Sequence, residues 1–431
     1  MKSGKRLLCS LLVLPVLCFS PGCGKDKSDP AGSTPEAAVT TEPVTLKVYN
    51  WDMITDEMFQ RLFVEPVQKK YPNITLEKIT RGKDTAPESL VIGGNEVDMI
   101  FGWNDVMNTF ENLELLADIT PLVKKHQIDL GRFEPTNLEG IRMGHKDKLL
   151  GLPFAYDFYA TFYNKDIFDK FGVPYPRDGM TWDDAIEVAK KLTRNEDGVQ
   201  YKGLDPEGIE KLGNSLSLPF VDPQTNRAAA DLEGWRKVFE LAKRINDIPG
   251  NQFSITSHAG TVDRFIKQKI DAMLPTHAVL PSLENAEGLN WDIAQYPSFP
   301  ERPNTYGMVK TAVMSLAATS KHPDEVMEVM KIVTSDETQL QLMKMATLLT
   351  GLDNKDLQQH FGEEKPFLKG KHVEAIFKSK PAPFVPQTLY SGKVRGIFEA
   401  KYKDYVAGKD LNTALREAEE EGNQLIDSMK K

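Results

Sequence analysis

The chain has 431 residues and a formal net charge of −9 at pH 7. Residues 1 to 22 hold three positive charges and no acidic ones, so the chain without them carries −12. That balance argues against nucleic acid and against an electrostatic membrane patch as partners. About 390 residues follow the N-terminal region, too many for one ordinary core, and two lobes are expected.

Lys2, Lys5 and Arg6 open the chain, and Leu7 to Phe19 is an apolar run of thirteen residues. A membrane-spanning helix needs about 20, so residues 1–22 read as a targeting segment. Ser20-Pro21-Gly22-Cys23 resembles a bacterial lipoprotein processing site with Cys23 as the lipid acceptor. Ser20 stands where Leu is usual and Pro21 where a small residue is usual; an ordinary secretory signal is the alternative. The three cysteines, Cys9, Cys18 and Cys23, all lie here, so the body has no disulfide, thiol nucleophile or thiolate metal site. Residues 23–43 read as a flexible linker rich in Ser, Thr, Ala and Pro.

Strands and helices alternate from Val44 on, which predicts an α/β class. Val44 to Tyr49, Ile74 to Ile79 and Val97 to Phe101 read as strands. Thr55 caps a helix kinked or ended near Pro66. Asp147 to Leu192 is the stretch around which the rest is organised. Within it, Leu149 to Tyr163 reads as one buried strand with a bend. Asn164 or Asp166 caps the next helix, Gly172 ends it, and Thr181 with Asp184 makes a variant capping box. Leu192 to Leu204 reads as a hairpin turning at Asp197-Gly198. Leu232 to Ile248 is an amphipathic helix, Pro323 starts another, and Val394 to Val406 and Leu411 to Met429 are terminal helices.

Leu150 to Pro153, then Tyr163-Asn164-Lys165-Asp166, then Pro174 to Pro176 and Thr181-Trp182 stand in a distinctive order. Together they resemble the family 1 extracellular solute-binding proteins of ABC transporters, the maltose-binding-protein-like group. The likeness extends over nearly all of Val44 to Lys431. It implies a two-lobed fold, each lobe a central sheet flanked by helices, joined by a hinge of three crossovers with the ligand between. The lobes are expected at 44–155 with 313–376, and at 156–312 with 377–431.

No HExxH, Walker-type phosphate loop or G-x-S-x-G elbow is present, so no enzyme is read. The histidines His126, His145, His258, His277, His322, His360 and His372 lack metal-ligand spacing, and neither a metal nor a cofactor is expected. Ligands sit beyond the carboxyl ends of strands in α/β sheets, which points to Trp51 and Asp52 after the first strand and to Trp103, Asn104 and Asp105 after the third. For Trp51 a packing role stands beside the binding one. The resemblance adds Tyr156 and Asp157 at the first crossover, with Asp157 the favoured acid. It also adds Thr276 and His277 in a loop after the Ala272-Met273 strand. Tyr306 and Gly307 come from the second crossover, and Gln387 and Tyr390 from the third.

The resemblance implies a monomer on the outer face of the bacterial cytoplasmic membrane, held by a lipid anchor. It would pass a sugar or oligosaccharide to an ABC permease. A polyamine or other small solute is the alternative ligand, because Asp52, Asp105 and Asp157 would suit a polycation. A secreted glycosidase, and a sensor feeding a membrane kinase, are the alternative functions.

Overall fold

The computed structural model describes residues 41–92, 96–142, 148–228, 232–252 and 258–430. The targeting segment, Cys23, nearly all of the linker, His145 and Asp147 lie outside them. Among the described residues fifteen strands follow in order. They are β1 (Val44–Asn50), β2 (Ile74–Thr80), β3 (Met99–Trp103), β4 (Leu152–Tyr156), β5 (Tyr159–Asn164), β6 (Arg194–Glu196), β7 (Val199–Leu204) and β8 (Val221–Asp222). The rest are β9 (Arg227–Ala228), β10 (Asp271–His277), β11 (Trp291–Ala294), β12 (Thr305–Tyr306), β13 (Thr311–Leu316), β14 (Leu349–Thr350) and β15 (Lys380–Pro381).

Two larger sheets organise the chain. The first has the order β14-β4-β13-β3-β1-β2, and the second β11-β5-β10-β7-β6. In the first, β1 pairs parallel with β2 and β3, while β13 runs antiparallel between β3 and β4. In the second, β5 lies antiparallel between β10 and β11, and β10 runs parallel to β7. Every residue of β5 and of β13 is buried, as befits central strands covered on both faces.

The expected single bent strand from Leu149 to Tyr163 is instead two strands, β4 and β5, in different sheets. The break falls at Asp157-Phe158, where the Asp157 carboxylate accepts the Phe158 N–H at 2.8 Å. A carboxylate bound to the next amide turns the chain out of one ladder and into the other. The expected loop Pro275-Thr276-His277 is the end of β10. Pro275 pairs with Thr161 on one side, and β7 stops at Met273 on the other, so its missing N–H costs no ladder bond there.

Local chemistry matches the sequence at several ends. The Thr55 hydroxyl accepts the Met58 N–H, Asn164 accepts from Asp166, and Thr181 with Asp184 makes a full capping box. Gly172 ends its helix at φ 64°. Asp197 and Gly198, both at positive φ, turn the β6–β7 hairpin. The helix from Asp56 to Lys70 runs on past Pro66, which has no N–H to donate. It widens into a π-helical turn at Gln60–Val64, and the Glu65 N–H donates to Gln60 five residues back.

His126 ties three helices beside the first sheet. Its Nε2 lies 2.8 Å from Asp324 Oδ1 and its Nδ1 lies 3.0 Å from Glu328 Oε1, while the Tyr71 hydroxyl donates to Glu328 Oε2 at 2.9 Å. Burial opposes the Glu328 charge. Hydrogen bonds from His126 and Tyr71, with Lys331 and Lys70 nearby, outweigh it and hold the carboxyl below its ordinary value of 4.5. A lowered acid pKa stabilises the fold above 4.5, and that stabilisation is lost as pH falls through the folded value. Glu328→Gln is therefore expected to cost about 1 to 3 kcal/mol at pH 7 in chemical denaturation, with the gap to wild type closing in acid. A gap that stays constant down to acid pH would show that the carboxylate charge is not what holds these helices.

Candidate functional site

The chain passes between the two sheets twice, after β4 and after β11, and a third segment at β15 leads from the first sheet to the terminal helices; these segments are bonded to one another or to the strand ends beside them. The Asp157 N–H donates to Lys310 O at 3.0 Å. The Asn104 N–H donates to Thr311 O at 2.8 Å, and its side-chain oxygen accepts the Thr311 N–H at 3.1 Å. In the third segment β15 pairs with β12, and Ala382 N–H donates to Tyr306 O at 3.1 Å.

A cavity of about 310 Å³ opens beside these crossings, with Asp105, Asp157, Tyr159, Lys211, His277 and Gln387 among its walls. A second, of about 600 Å³, shares Asp105, Gln387 and Thr388 with it and adds Asn108 and Tyr390. Tyr159 forms the aromatic floor. Its ring stacks on its cross-strand partner His277 at 5.0 Å between centroids and 13° between planes, and on Tyr306 at 5.9 Å. Lys211 Nζ stands 5.7 Å from the Tyr159 ring centre and 3.5 Å from His277 Nε2. Gly307 packs so close that a Cβ there would come within 3.2 Å of Asn214 and 3.4 Å of Tyr159.

Asp157 is buried, and His277 Nε2 lies 3.9 Å from its Oδ2. Burial raises its carboxyl to about 6, while the Phe158 N–H, Lys211, His258 and Lys310 pull it down. Burial, with Lys211, His258 and Lys310 adding to it, pushes the His277 imidazole well below its ordinary value and keeps it neutral. His277 Nδ1 is buried without a hydrogen-bond partner. Asp105 Oδ2 pairs with Lys310 Nζ at 2.7 Å, and its Oδ1 is buried and unpartnered.

Six of the sequence-expected residues come together here: Asp105, Asp157, His277, Gln387 and Tyr390 in the walls, and Gly307 packed against Tyr159. Tyr306 lies behind Tyr159. Thr276 points to Glu207, its hydroxyl donating to Oε2 at 2.5 Å. Asn104 locks Thr311, and Tyr156 pairs with Thr311 and Leu349 and feels Glu134 and Asp353, away from the cavity. Trp51 and Trp103 line neither cavity. Trp51 lies edge-on to Phe110 at 5.5 Å, under the Arg81 guanidinium at 4.2 Å. Asp52, at φ 52°, stands exposed 3.9 Å from Arg81. The acidic trio Asp52, Asp105 and Asp157 is thus not assembled. Asn50 is spent on the turn, accepting the Met53 and Ile54 N–H groups.

The sequence reading passed over Glu210, Lys211 and Asn214, which the helix Ile209–Ser215 brings to the cavity, and Arg395, which the helix Ser391–Val406 brings. One signal pointed to the first group: they follow the carboxyl end of β7, where α/β sheets place ligands. Arg395 had none, being one basic residue on a helix.

The chain belongs to the bacterial extracellular solute-binding protein family, whose sequence model matches residues 52–340. A sugar transporter structure from Rhizobium etli in an open conformation superposes with a TM-score of 0.71 at 21% identity, covering 88% of this chain and 99% of that one. An ABC substrate-binding protein from Listeria monocytogenes, in complex with cycloalternan, gives 0.68 at 18%, covering 90% and 100%. The sugar-binding protein MalE from the phytopathogen Xanthomonas citri gives 0.68 at 16%, covering 90% and 98%. The fold is the two-lobed solute-binding one. Among the described residues no helix is long and apolar enough to cross a membrane.

Asp157 tests whether the cavity wall carries a costly charge. The raised pKa means the cost is absent below about 3.8, the unfolded value, and complete above about 6. Asp157→Asn keeps the acceptor for Phe158 and is expected to stabilise the solute-free chain by about 1 to 3 kcal/mol at pH 8, with no gain at pH 3.5. A variant that is less stable at pH 8 in urea denaturation would show the carboxylate to be held by pairing.

Proposed function

We propose that this chain is the substrate-binding component of an ABC importer and captures a neutral sugar or oligosaccharide between its lobes. The lobes are assigned to 44–155 with 313–376, and to 156–312 with 377–431. Residues 1–22 act as a lipoprotein signal, Cys23 carries lipid, and residues 23–43 tether the monomer to the outer face of the membrane. Closure around the solute shifts the population toward the form that the permease takes up.

One observation carries the ligand class: the charges in the cavity wall balance. Asp105, Asp157 and Glu210 face Lys211, Lys310 and Arg395. A polycation would meet three bases, whereas a sugar offers hydroxyls and weakly apolar faces. Asp105 Oδ1 supplies an unspent acceptor, Gln387 an amide, and Tyr159, Phe384 and Tyr390 aromatic surface. Structural relatives support the same class, one being in complex with cycloalternan and another bound with alpha-D-tagatose. No enzymatic role is assigned.

The full chain is expected to gain about 2.7 kcal/mol of apparent stability from a neutral saccharide at a hundredfold excess over Kd, in a thermal-shift screen of sugars, polyamines and amino acids. Asp105→Asn should weaken that saccharide about 10- to 100-fold. A screen answered by polyamines alone would overturn the saccharide reading.

A further inference from the structure

Histidines scattered in the sequence meet in space. His258 opens the helix His258–Asp263, His277 ends β10, and Glu207 sits in the loop after β7. Each offers one ligand atom, and these atoms lie within 4.8 Å of one another. His258 Nδ1 lies 2.6 Å from Glu207 Oε1, and the two histidine rings stand 5.0 Å apart.

Two further observations point to a cation site. The Glu207 side chain is only 4% exposed, yet among the described residues it pairs with no lysine or arginine. Arg264, on the neighbouring turn, is committed to Asp205 and Asp271. A buried carboxylate answered only by a histidine, which is a cation only when protonated, is costly. His277, for its part, holds a buried Nδ1 with no partner, while its Nε2 faces Lys211 Nζ at 3.5 Å. Lys211 donates to Nε2, so the neutral ring carries its proton on Nδ1, and an ion bound through His277 displaces either the lysine contact or that proton.

We propose that Glu207, His258 and His277 bind a divalent transition-metal ion of the zinc class. Two imidazoles and one carboxylate suit Zn²⁺ and disfavour Mg²⁺ and Ca²⁺, which take oxygen ligands. Bonds of about 2.1 Å at tetrahedral angles put ligand atoms about 3.4 Å apart, so small side-chain rotations close the site. A fourth position stays open for water. The Thr276 hydroxyl on Glu207 Oε2 fixes the carboxylate from behind, as outer-shell partners do in metal sites. His277 also lines the solute cavity and stacks on Tyr159, so an ion here would fix one wall of that cavity. The site itself does not depend on what the solute is.

The full chain, stripped with a chelator and free of solute, is titrated with Zn²⁺ by calorimetry and with Co²⁺ by visible absorption. The expected result is one equivalent of Zn²⁺, a rise in Tm, and the visible bands of low-coordinate Co²⁺. His258→Gln and Glu207→Gln should abolish the Co²⁺ bands. Thr276→Val should weaken Zn²⁺ about 10- to 100-fold. His360→Gln, at an exposed surface pair with Glu363, should change nothing. His258 is partly exposed, so its variant is expected to fold, and the Tm of the stripped variant checks this. Absence of stoichiometric Zn²⁺ binding, or binding retained in both His258→Gln and Glu207→Gln, would overturn the proposal.

Discussion

The bond from the Asp157 N–H to Lys310 O fixes the geometry on which the rest depends. It joins two chain segments at the point where each leaves one sheet for the other. A crossing between sheets must leave the ladder, and its backbone groups then need other partners. Here they find one another, or the side chains of Asp157 and Asn104. The polar groups gathered for that purpose also open onto the cavity. One set of hydrogen bonds therefore holds the junction and shapes the floor of the site.

The same economy explains which residues were legible in sequence. Caps and turns were, because Thr181 with Asp184, Asn164, Gly172 and Asp197-Gly198 act on neighbours within four positions. The β4–β5 division was not. Leu152 to Asn164 is almost uniformly apolar and aromatic, and no pattern in such a run says that its halves serve different sheets. Only the acceptance of the Phe158 N–H by Asp157 marks the break, and that is a matter of geometry. Pro275, inside β10 where the resemblance implied a loop, is a related case. It is excluded from a central strand only where a neighbour needs its N–H, and β7 stops short of it.

In the site, sequence reasoning found Asp157 and Gln387, which the interlobe segments present, and Asp105, which follows a strand of the first sheet. It over-weighted tryptophan. Trp51 and Trp103 do follow strands of the first sheet, but Trp51 is spent between Phe110 and Arg81. Tyr159, two residues past Asp157, supplies the aromatic face instead. Its role rests on His277, Tyr306 and Gly307, which lie from 118 to 148 positions away along the chain. No local spacing carries that information. The same is true of Glu207, His258 and His277, whose separation in sequence hides their proximity.

Around the cavity the protein tolerates ionisable groups that burial opposes. Burial and the neighbouring Asp271 raise the Asp205 carboxyl to about 7 even with Arg264 against it, and burial raises Asp271 as well. Asp157, at the break between β4 and β5, has the same bias. In the first sheet's flank the balance is opposite: the His126 bonds bring Glu328 below its ordinary value. The contrast separates two uses of buried charge. Around His126 the carboxylates are answered within the protein and hold helices together. Beside the cavity they are answered in part, and the remaining polar capacity, on Asp105 Oδ1 and His277 Nδ1, is directed at something other than the chain itself. A wall of that kind costs stability in the empty state, and the gain from filling it is what gives a ligand leverage over the equilibrium between open and closed lobes.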